Sequence, residues 1–161
     1  MQLEEITIRL AGAQDLNELN RVVEQAIMSW RLPERVKRLA LPSYRYSELD
    51  MQHMEILVAV EPNKALIGLA AWELSDKQDD LDEGPAILLH GIYVLPKYQR
   101  HGIGSHLLGM VEETARSAGL SGILVKVQSD AVGFFRAKGY SQLPTHHLTT
   151  EFPNRYWKSI D

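Results

Sequence analysis

The sequence predicts a mixed α/β (α+β) fold in a single domain, and three observations carry that expectation. Apolar residues switch repeatedly between a spacing of two and a spacing near 3.6, in the order βα(α)βββαβαβ. A glycine-bearing segment at residues 102–104 separates an apolar run from an amphipathic stretch, as a strand-to-helix turn does. Across all 161 residues no internal repeat, low-complexity tract or domain-dividing linker appears. One domain over residues 1–161, with its core over about 6–152, is therefore the expected organisation.

Taken in order, Ile6 to Leu10 alternates apolar and polar residues, the pattern of a short half-buried strand. Asp15 stands three residues before Glu18, as in a capping box. With Leu16, Leu19, Val22, Val23, Ala26 and Ile27 at helical spacing, this predicts a helix over 15–28. Over 30–50 the pattern loosens to a short second helix and a loop; Pro33 suits a helix first turn and Pro42 ends whatever precedes it. Residues 55–60 and 65–72 are apolar runs joined by Glu61-Pro62-Asn63-Lys64, turn chemistry that predicts a hairpin. The stretch 73–84 carries Asp76, Asp79, Asp80, Asp82 and Glu83 and reads as a loop before a strand over 86–95. Ile103, Leu107, Leu108, Val111, Ala115 and Ala118 share one helical face, closed by Gly119. A strand follows at 122–128, then a short helix capped by Ser129 or Asp130 and ended by Gly139, then a last strand at 146–152.

Charge and composition remove several function classes. A formal net charge of -4 opposes contact with a polyphosphate backbone, so nucleic acid is not an expected partner. No stretch approaches the ~20 apolar residues of a membrane helix, and MQLEEITIRL lacks the basic, apolar, small-residue order of a signal peptide. A cytoplasmic protein with no membrane partner is expected. The absence of cysteine rules out disulfides, Cys-ligated metals and a Cys nucleophile. His146 and His147 are adjacent, hence on opposite faces of a strand, and His101 and His106 lack helical metal spacing, so no metal is expected.

The run Val94-Leu95-Pro96-Lys97-Tyr98-Gln99-Arg100-His101-Gly102-Ile103-Gly104 carries the most chemistry. Glycines where the chain turns into a helix let successive backbone N–H groups face one anion at the positive helix end, which makes a pyrophosphate cradle. A dinucleotide fingerprint needs a third glycine where this chain has Leu107, and a P-loop needs a lysine that Gly104-Ser105-His106 does not supply.

These residues resemble the acetyl-CoA motif of the GNAT superfamily of N-acetyltransferases, V-x-P-x-[YF]-[RQ]-x-x-G-[IV]-G, with Gln99 at the Arg/Gln position. Ala131 to Tyr140 resembles the same family's later A-x-x-F-Y-x-x-x-G-F segment. The resemblance implies a central, mostly antiparallel mixed sheet flanked by about four helices, with acetyl-CoA as co-substrate. It also implies direct attack by the primary amine of a small molecule or peptide, within a ternary complex. In it, Ile92, Tyr93 and Val94 offer backbone groups to the pantetheine arm. The N–H groups of Gln99, Arg100, His101, Gly102, Ile103, Gly104 and Ser105 bind pyrophosphate, and Phe134 and Phe135 pack beside coenzyme A. A homodimer is consistent with the resemblance, since relatives often pair through late strands.

An amine attacks a thioester only when unprotonated, so a group must take or relay its proton. Leu88 to Val94 resembles relatives that read L-E-D-I-Y-V, with His90 in an acid's place. A histidine there can serve as the base or can simply be a satisfied strand residue. The backbone N–H of Val94 is the family's expected oxyanion donor. Many relatives carry a tyrosine where this chain has Phe135 and an asparagine where it has Gln128, so the usual acid is absent. Tyr140, Tyr93 or water then supplies the leaving group's proton, or the thiolate leaves without help. Trp30, Tyr44 and Tyr46 lie where the family builds its acceptor wall, as substrate contacts or as packing; the acidic 76–83 segment can attract a cationic amine or be solvated surface, and the basic cluster Arg31, Arg35, Lys37 and Arg38 suits a solvated helix face. A non-catalytic acetyl-CoA sensor or partner-binding domain is the alternative reading.

Overall fold

The computed structural model describes residues 2–75, 84–144 and 154–160. Its helices and strands are, in chain order, β1 (Thr7–Leu10), α1 (Leu16–Met28), α2 (Glu34–Tyr44), α3 (Glu48–His53), β2 (Glu55–Val60), β3 (Leu66–Leu74), β4 (Ile87–Val94), α4 (Ile103–Ser117), β5 (Gly122–Lys126), α5 (Val132–Ala137), β6 (Ser141–Gln142) and β7 (Arg155–Ser159). The strands form one sheet in the order β1-β2-β3-β4-β5-β7-β6. Within it β4 and β5 are parallel, while β1–β2, β5–β7 and β6–β7 are antiparallel. The expected mixed sheet with helices is thus present. The chain divides into two compact units, Met1–Ala71 with Ile92–Met110 and Trp72–Gly91 with Val111–Asp161. No helix among the described residues is long and apolar enough to cross a membrane.

In the first unit β1 pairs with β2 from Thr7↔Val60 to Leu10↔Leu57. Ile56 to Val60 are all buried, as are Leu66 to Ala71, so both faces of these strands are covered and alternation gives way to continuous apolar runs. The α1 face predicted from spacing is the buried one: Leu19, Val22, Val23, Ala26 and Ile27. The expected capping box is not formed. Asp15 turns instead to Arg9, whose two guanidinium nitrogens donate to its carboxylate at 2.8 and 3.1 Å, and it accepts the Gly12 N–H at 2.8 Å. Glu18 accepts the Leu66 N–H at 3.0 Å, tying α1 to the start of β3.

Between Trp30 and Asp50 the chain makes two helices rather than one. Pro42 lies inside the last turn of α2 instead of ending what precedes it, because at that position it removes only one late ladder bond. The box predicted for α1 forms at α3, where the Ser47 hydroxyl accepts the Asp50 N–H and Asp50 accepts the Ser47 N–H. Lys37 is not simply solvated: its Nζ donates to the Met28 and Trp30 carbonyls and so closes the end of α1.

In the second unit Ile87, Leu88 and Leu89 pair with Ile123, Leu124 and Val125, and β5 pairs on its other side with β7 from Gly122↔Ser159 to Lys126↔Arg155. Ala86, Leu88, Leu124 and Trp157 form a buried cluster against which Leu143 packs. Gly119, at φ 70°, ends α4 as predicted, with the Leu120 N–H reaching back to the Ala115 carbonyl. The strand expected at 146–152 and the acidic segment at 76–83 lie outside the described residues. The sequence reading missed β6 and β7, although Tyr156, Trp157 and Ile160 are buried.

Candidate functional site

The segment predicted as a cradle makes the turn from β4 into α4. The Leu95 N–H donates to the Ile67 carbonyl at 2.9 Å, so β3 still holds the chain one residue beyond β4. A short turn at Pro96–Tyr98 follows. Arg100 and Gly102 then take left-handed backbone conformations, φ 66° and 86°, and α4 begins at Ile103. The first bond that closes this helix runs from the His106 N–H to the Gly102 carbonyl, 3.0 Å. The N–H groups of Ile103, Gly104 and Ser105 precede it, outside the helical ladder and at the positive end of the helix dipole. The Gln99 N–H, expected among the donors, is instead bonded to the Pro96 carbonyl at 3.3 Å, so the donors that suit an anion come from the rest of the turn, Arg100, His101, Gly102, Ile103, Gly104 and Ser105.

Two residues whose part in this turn sequence reasoning passed over, Gly68 and Glu61, shape it. A Cβ on Gly68 would sit 3.2 Å from the Tyr93 carbonyl oxygen and 3.3 Å from the Ile103 side chain, so a glycine in β3 lets α4 pack closely. The lone glycine inside Leu66-Ile67-Gly68-Leu69 was the available signal. Glu61 accepts the Tyr98 hydroxyl at 2.5 Å, which fastens the turn after β4 to the turn after β2 and raises the phenol's pKa. Gln99 itself folds back, its Nε2 donating to the Val94 carbonyl at 3.0 Å. That carbonyl is thus engaged within the turn, and the backbone groups on offer to a ligand there are fewer than the motif implies.

β4 has two irregularities that free its C-terminal half. Its described pairing with β5 ends at Leu89↔Val125, although the strand continues to Val94. The Ser75 N–H donates to the Ala86 carbonyl and the Leu95 N–H to that of Ile67, so β4 takes nine residue steps where β3 takes eight. One extra residue in β4 is a bulge, the kind of break that re-aims backbone groups beside a site. Ile92, Tyr93 and Val94 lie on this segment.

Two aromatic residues of the first unit are in ring contact. Trp30 and Tyr44 meet edge to face at 5.4 Å. Tyr46 is buried and held in place by Asn20, whose side-chain amide exchanges two 2.8 Å hydrogen bonds with the Tyr46 backbone. Burial, and then the neighbouring Tyr93 and Asp50, push the Tyr46 hydroxyl well above the ordinary phenol range, and burial with Tyr44 beside it raises that of Tyr93.

In the second unit, the imidazole of His90 faces Glu73 on β3, Nε2 to Oε1 3.2 Å, with the two side chains 30% and 35% exposed. Phe135 is buried, edge-on to Phe134 at 5.1 Å and to Tyr140 at 5.3 Å. Tyr140 is buried too, and its hydroxyl donates to Glu112 at 2.8 Å; burial and this carboxylate push its pKa far up. Lys158 closes the group with a 3.1 Å ion pair to Glu112. Gln128, rather than Ser129 or Asp130, caps the turn before α5 by accepting the Asp130 N–H at 2.8 Å. Among the described residues no three His, Asp or Glu side chains are placed to hold a metal.

Residues 24–140 match the model of the acetyltransferase (GNAT) family, and the chain belongs to that family. It is 34% identical over 68 residues to an aminoglycoside N(6')-acetyltransferase type 1 of Acinetobacter genomosp. 13, a match covering 42% of this chain and 47% of that one. It is 28% identical over 122 residues to the probable N-acetyltransferase 14 of Xenopus tropicalis, covering 74% and 53%. The chain spans about half the length of these curated relatives. The fold is shared with the PaiA N-acetyltransferase of Thermoplasma acidophilum, solved in complex with coenzyme A, at a TM-score of 0.74 and 17% identity over 94% of this chain and 96% of that one.

Proposed function

We propose that this chain is one N-acetyltransferase domain that moves the acetyl group of acetyl-CoA to a primary amine on a small molecule or peptide, by direct attack in a ternary complex. The observation that carries this reading is the left-handed turn at Arg100 and Gly102, which leaves the Ile103, Gly104 and Ser105 amides outside the ladder of α4. Backbone donors in such a turn suit a pyrophosphate without needing a side chain at the motif's Arg/Gln position, which here is Gln99. The PaiA relative solved with coenzyme A supports the same co-substrate here.

When bound, acetyl-CoA supplies a thioester carbonyl of good leaving-group chemistry. The rest falls to this chain's residues. The backbone of Ile92, Tyr93 and Val94 aligns the pantetheine arm, and the Val94 N–H stabilises charge on the carbonyl oxygen. His90 takes the proton that the amine gives up as its nitrogen bonds to the carbonyl carbon and the carbon–sulfur bond breaks. Burial raises the hydroxyls of Tyr93 and Tyr140, and Tyr140 is bonded to Glu112. A phenol held that way is a poor proton donor to sulfur, which favours departure of the thiolate with a water proton or unaided.

The test is release of free CoA from acetyl-CoA with pooled small primary amines and lysine-containing peptides, for the wild type and His90→Ala. Amine-dependent release that falls on the order of a hundredfold in the variant, with acetyl-CoA binding intact, is the expected result. Tight acetyl-CoA binding with no release for any acceptor favours the sensor, and unchanged release in His90→Ala removes the base assignment.

A further inference from the structure

His90 reaches the first half of its chemistry through a neighbour that no motif contains. We propose that Glu73 is the positioning residue of His90: its carboxylate holds the imidazole proton on Nε2, so that Nδ1 carries the lone pair that accepts the amine's proton. The inference rests on the reading of His90 as the base.

The geometry that supports it is local to one unit. Glu73 is the penultimate residue of β3, and its Oε1 lies 3.2 Å from His90 Nε2. In a neutral imidazole one nitrogen bears the proton and the other the lone pair, and the partner of one nitrogen decides the assignment. A carboxylate is an acceptor only, so opposite Nε2 it selects the Nε2–H form and leaves Nδ1 unprotonated. When Nδ1 takes a proton the ring becomes a cation, and the same carboxylate then forms an ion pair with it. The proton afterwards passes from Nδ1 to solvent, which restores the starting tautomer. The charged groups on the strands flanking His90 are Glu73 on β3 and Lys126 on β5, the latter one step past the last β4–β5 pair. Of these, Glu73 supplies the negative charge.

The partial exposure of both side chains matters. A fully buried pair is locked and dry, whereas at 30% and 35% exposure His90 stays open to an incoming group while its outer nitrogen is still oriented.

The experiment has two readouts on the full chain. Side-chain 15N shifts of His90 report the tautomer directly, without any acceptor: the wild type shows the Nε2–H form, Glu73→Gln keeps it because the amide oxygen still accepts, and Glu73→Ala shows a mixture. CoA release in the pooled-amine assay then closes a cycle. Glu73→Ala lowers it on the order of tenfold with the acetyl-CoA KM unchanged, yet lowers it less than about twofold further in a His90→Ala background. An unchanged tautomer in Glu73→Ala, or an undiminished effect of Glu73→Ala when His90 is already gone, overturns the proposal. Loss of turnover in His90→Ala beside a fully active Glu73→Ala removes Glu73 alone, whereas a fully active His90→Ala removes the base itself.

Discussion

The Tyr140 hydroxyl donates to Glu112 Oε2 at 2.8 Å, joining the turn that follows α5 to α4, and Lys158 of β7 donates to the same carboxylate oxygen at 3.1 Å. A hydroxyl bound this way ties three elements together, and its pKa is raised by burial and by Glu112. Tyr140→Phe should therefore cost stability, about 1 kcal/mol or roughly 3 °C in the thermal midpoint, because Glu112 loses a partner. A calorimetric scan measures the first quantity. A loss of CoA release on the order of a hundredfold per folded molecule, with no change in midpoint, would instead mark Tyr140 as the proton donor.

The cradle depends on backbone conformation more than on space. A Cβ on Gly102 meets nothing closer than Leu3 Cδ2 at 3.7 Å, so Gly102→Ala introduces no clash. It forces alanine to φ 86°, at a cost of roughly 1–2 kcal/mol. The turn should relax away from the left-handed form and withdraw the amides it presents. Isothermal titration with acetyl-CoA should then show affinity weakened on the order of tenfold. Unchanged affinity would mean that the pyrophosphate does not use this turn.

How much of this was readable in advance follows from where the information lies. The residues of the turn into α4 are consecutive, and the turn is written in two glycines and a proline, so its position was legible. The α1 face and the Gly119 stop were legible for the same reason, since each depends on neighbours within a turn or two. Partners distant in sequence were not legible. Glu18 has the spacing of a capping box, but the Leu66 N–H 48 residues away claims its carboxylate. Nothing near Glu61, Glu73 and Glu112 in the sequence points to a partner, and only the fold brings them to Tyr98, His90 and Tyr140. β7 was missed because Arg155 to Ser159 is short and mixed, and its strand character comes from pairing with β5 on one side and β6 on the other.

Gly122 records that pairing. It sits opposite Ser159, and a Cβ there would collide with the Lys158 carbonyl oxygen and lie 2.6 and 2.8 Å from two ring carbons of Trp157. Backbone and a packed indole have little room to yield. Gly122→Ala should lower stability by about 3 kcal/mol and broaden or lower the thermal transition, the outcome of overpacking at a strand–strand contact. A variant within 0.5 kcal/mol of wild type, on the scale of ordinary surface changes, would show that β5 and β7 are not held this closely.

Asp15 gives the protein a defined sensitivity to acid. The Arg9 guanidinium, together with the Gly12 N–H, holds its carboxyl below the usual carboxylate range. Below an unfolded value near about 3.9 the unfolded chain binds a proton that the folded chain still refuses, so stability present at neutral pH is lost as pH falls through the folded pKa. Asp15→Asn should lower the urea midpoint at pH 7 by the equivalent of about 1 kcal/mol, a modest figure because Arg9 is 42% exposed. The gap between variant and wild type should then close below pH 4. A gap that stays constant from pH 7 to pH 3 would assign the loss to shape rather than charge.

Phe135 stands where the family resemblance implies a tyrosine, which makes Phe135→Tyr the substitution that would restore an acid. Its surroundings argue otherwise. The ring is buried, 5% exposed, and lies edge-on between Phe134 at 5.1 Å and Tyr140 at 5.3 Å, while the Tyr140 hydroxyl already serves Glu112. A new phenol oxygen enters an aromatic group whose one hydroxyl is already bonded, and a buried hydroxyl that is left without a partner costs about 1–3 kcal/mol. The variant should therefore melt earlier and release CoA no faster per folded molecule. A rise of tenfold or more in that rate, with the thermal midpoint unmoved, would mean that the hydroxyl reaches the leaving sulfur and that proton donation limits the wild type; its absence leaves water or the unaided thiolate as the route by which sulfur departs.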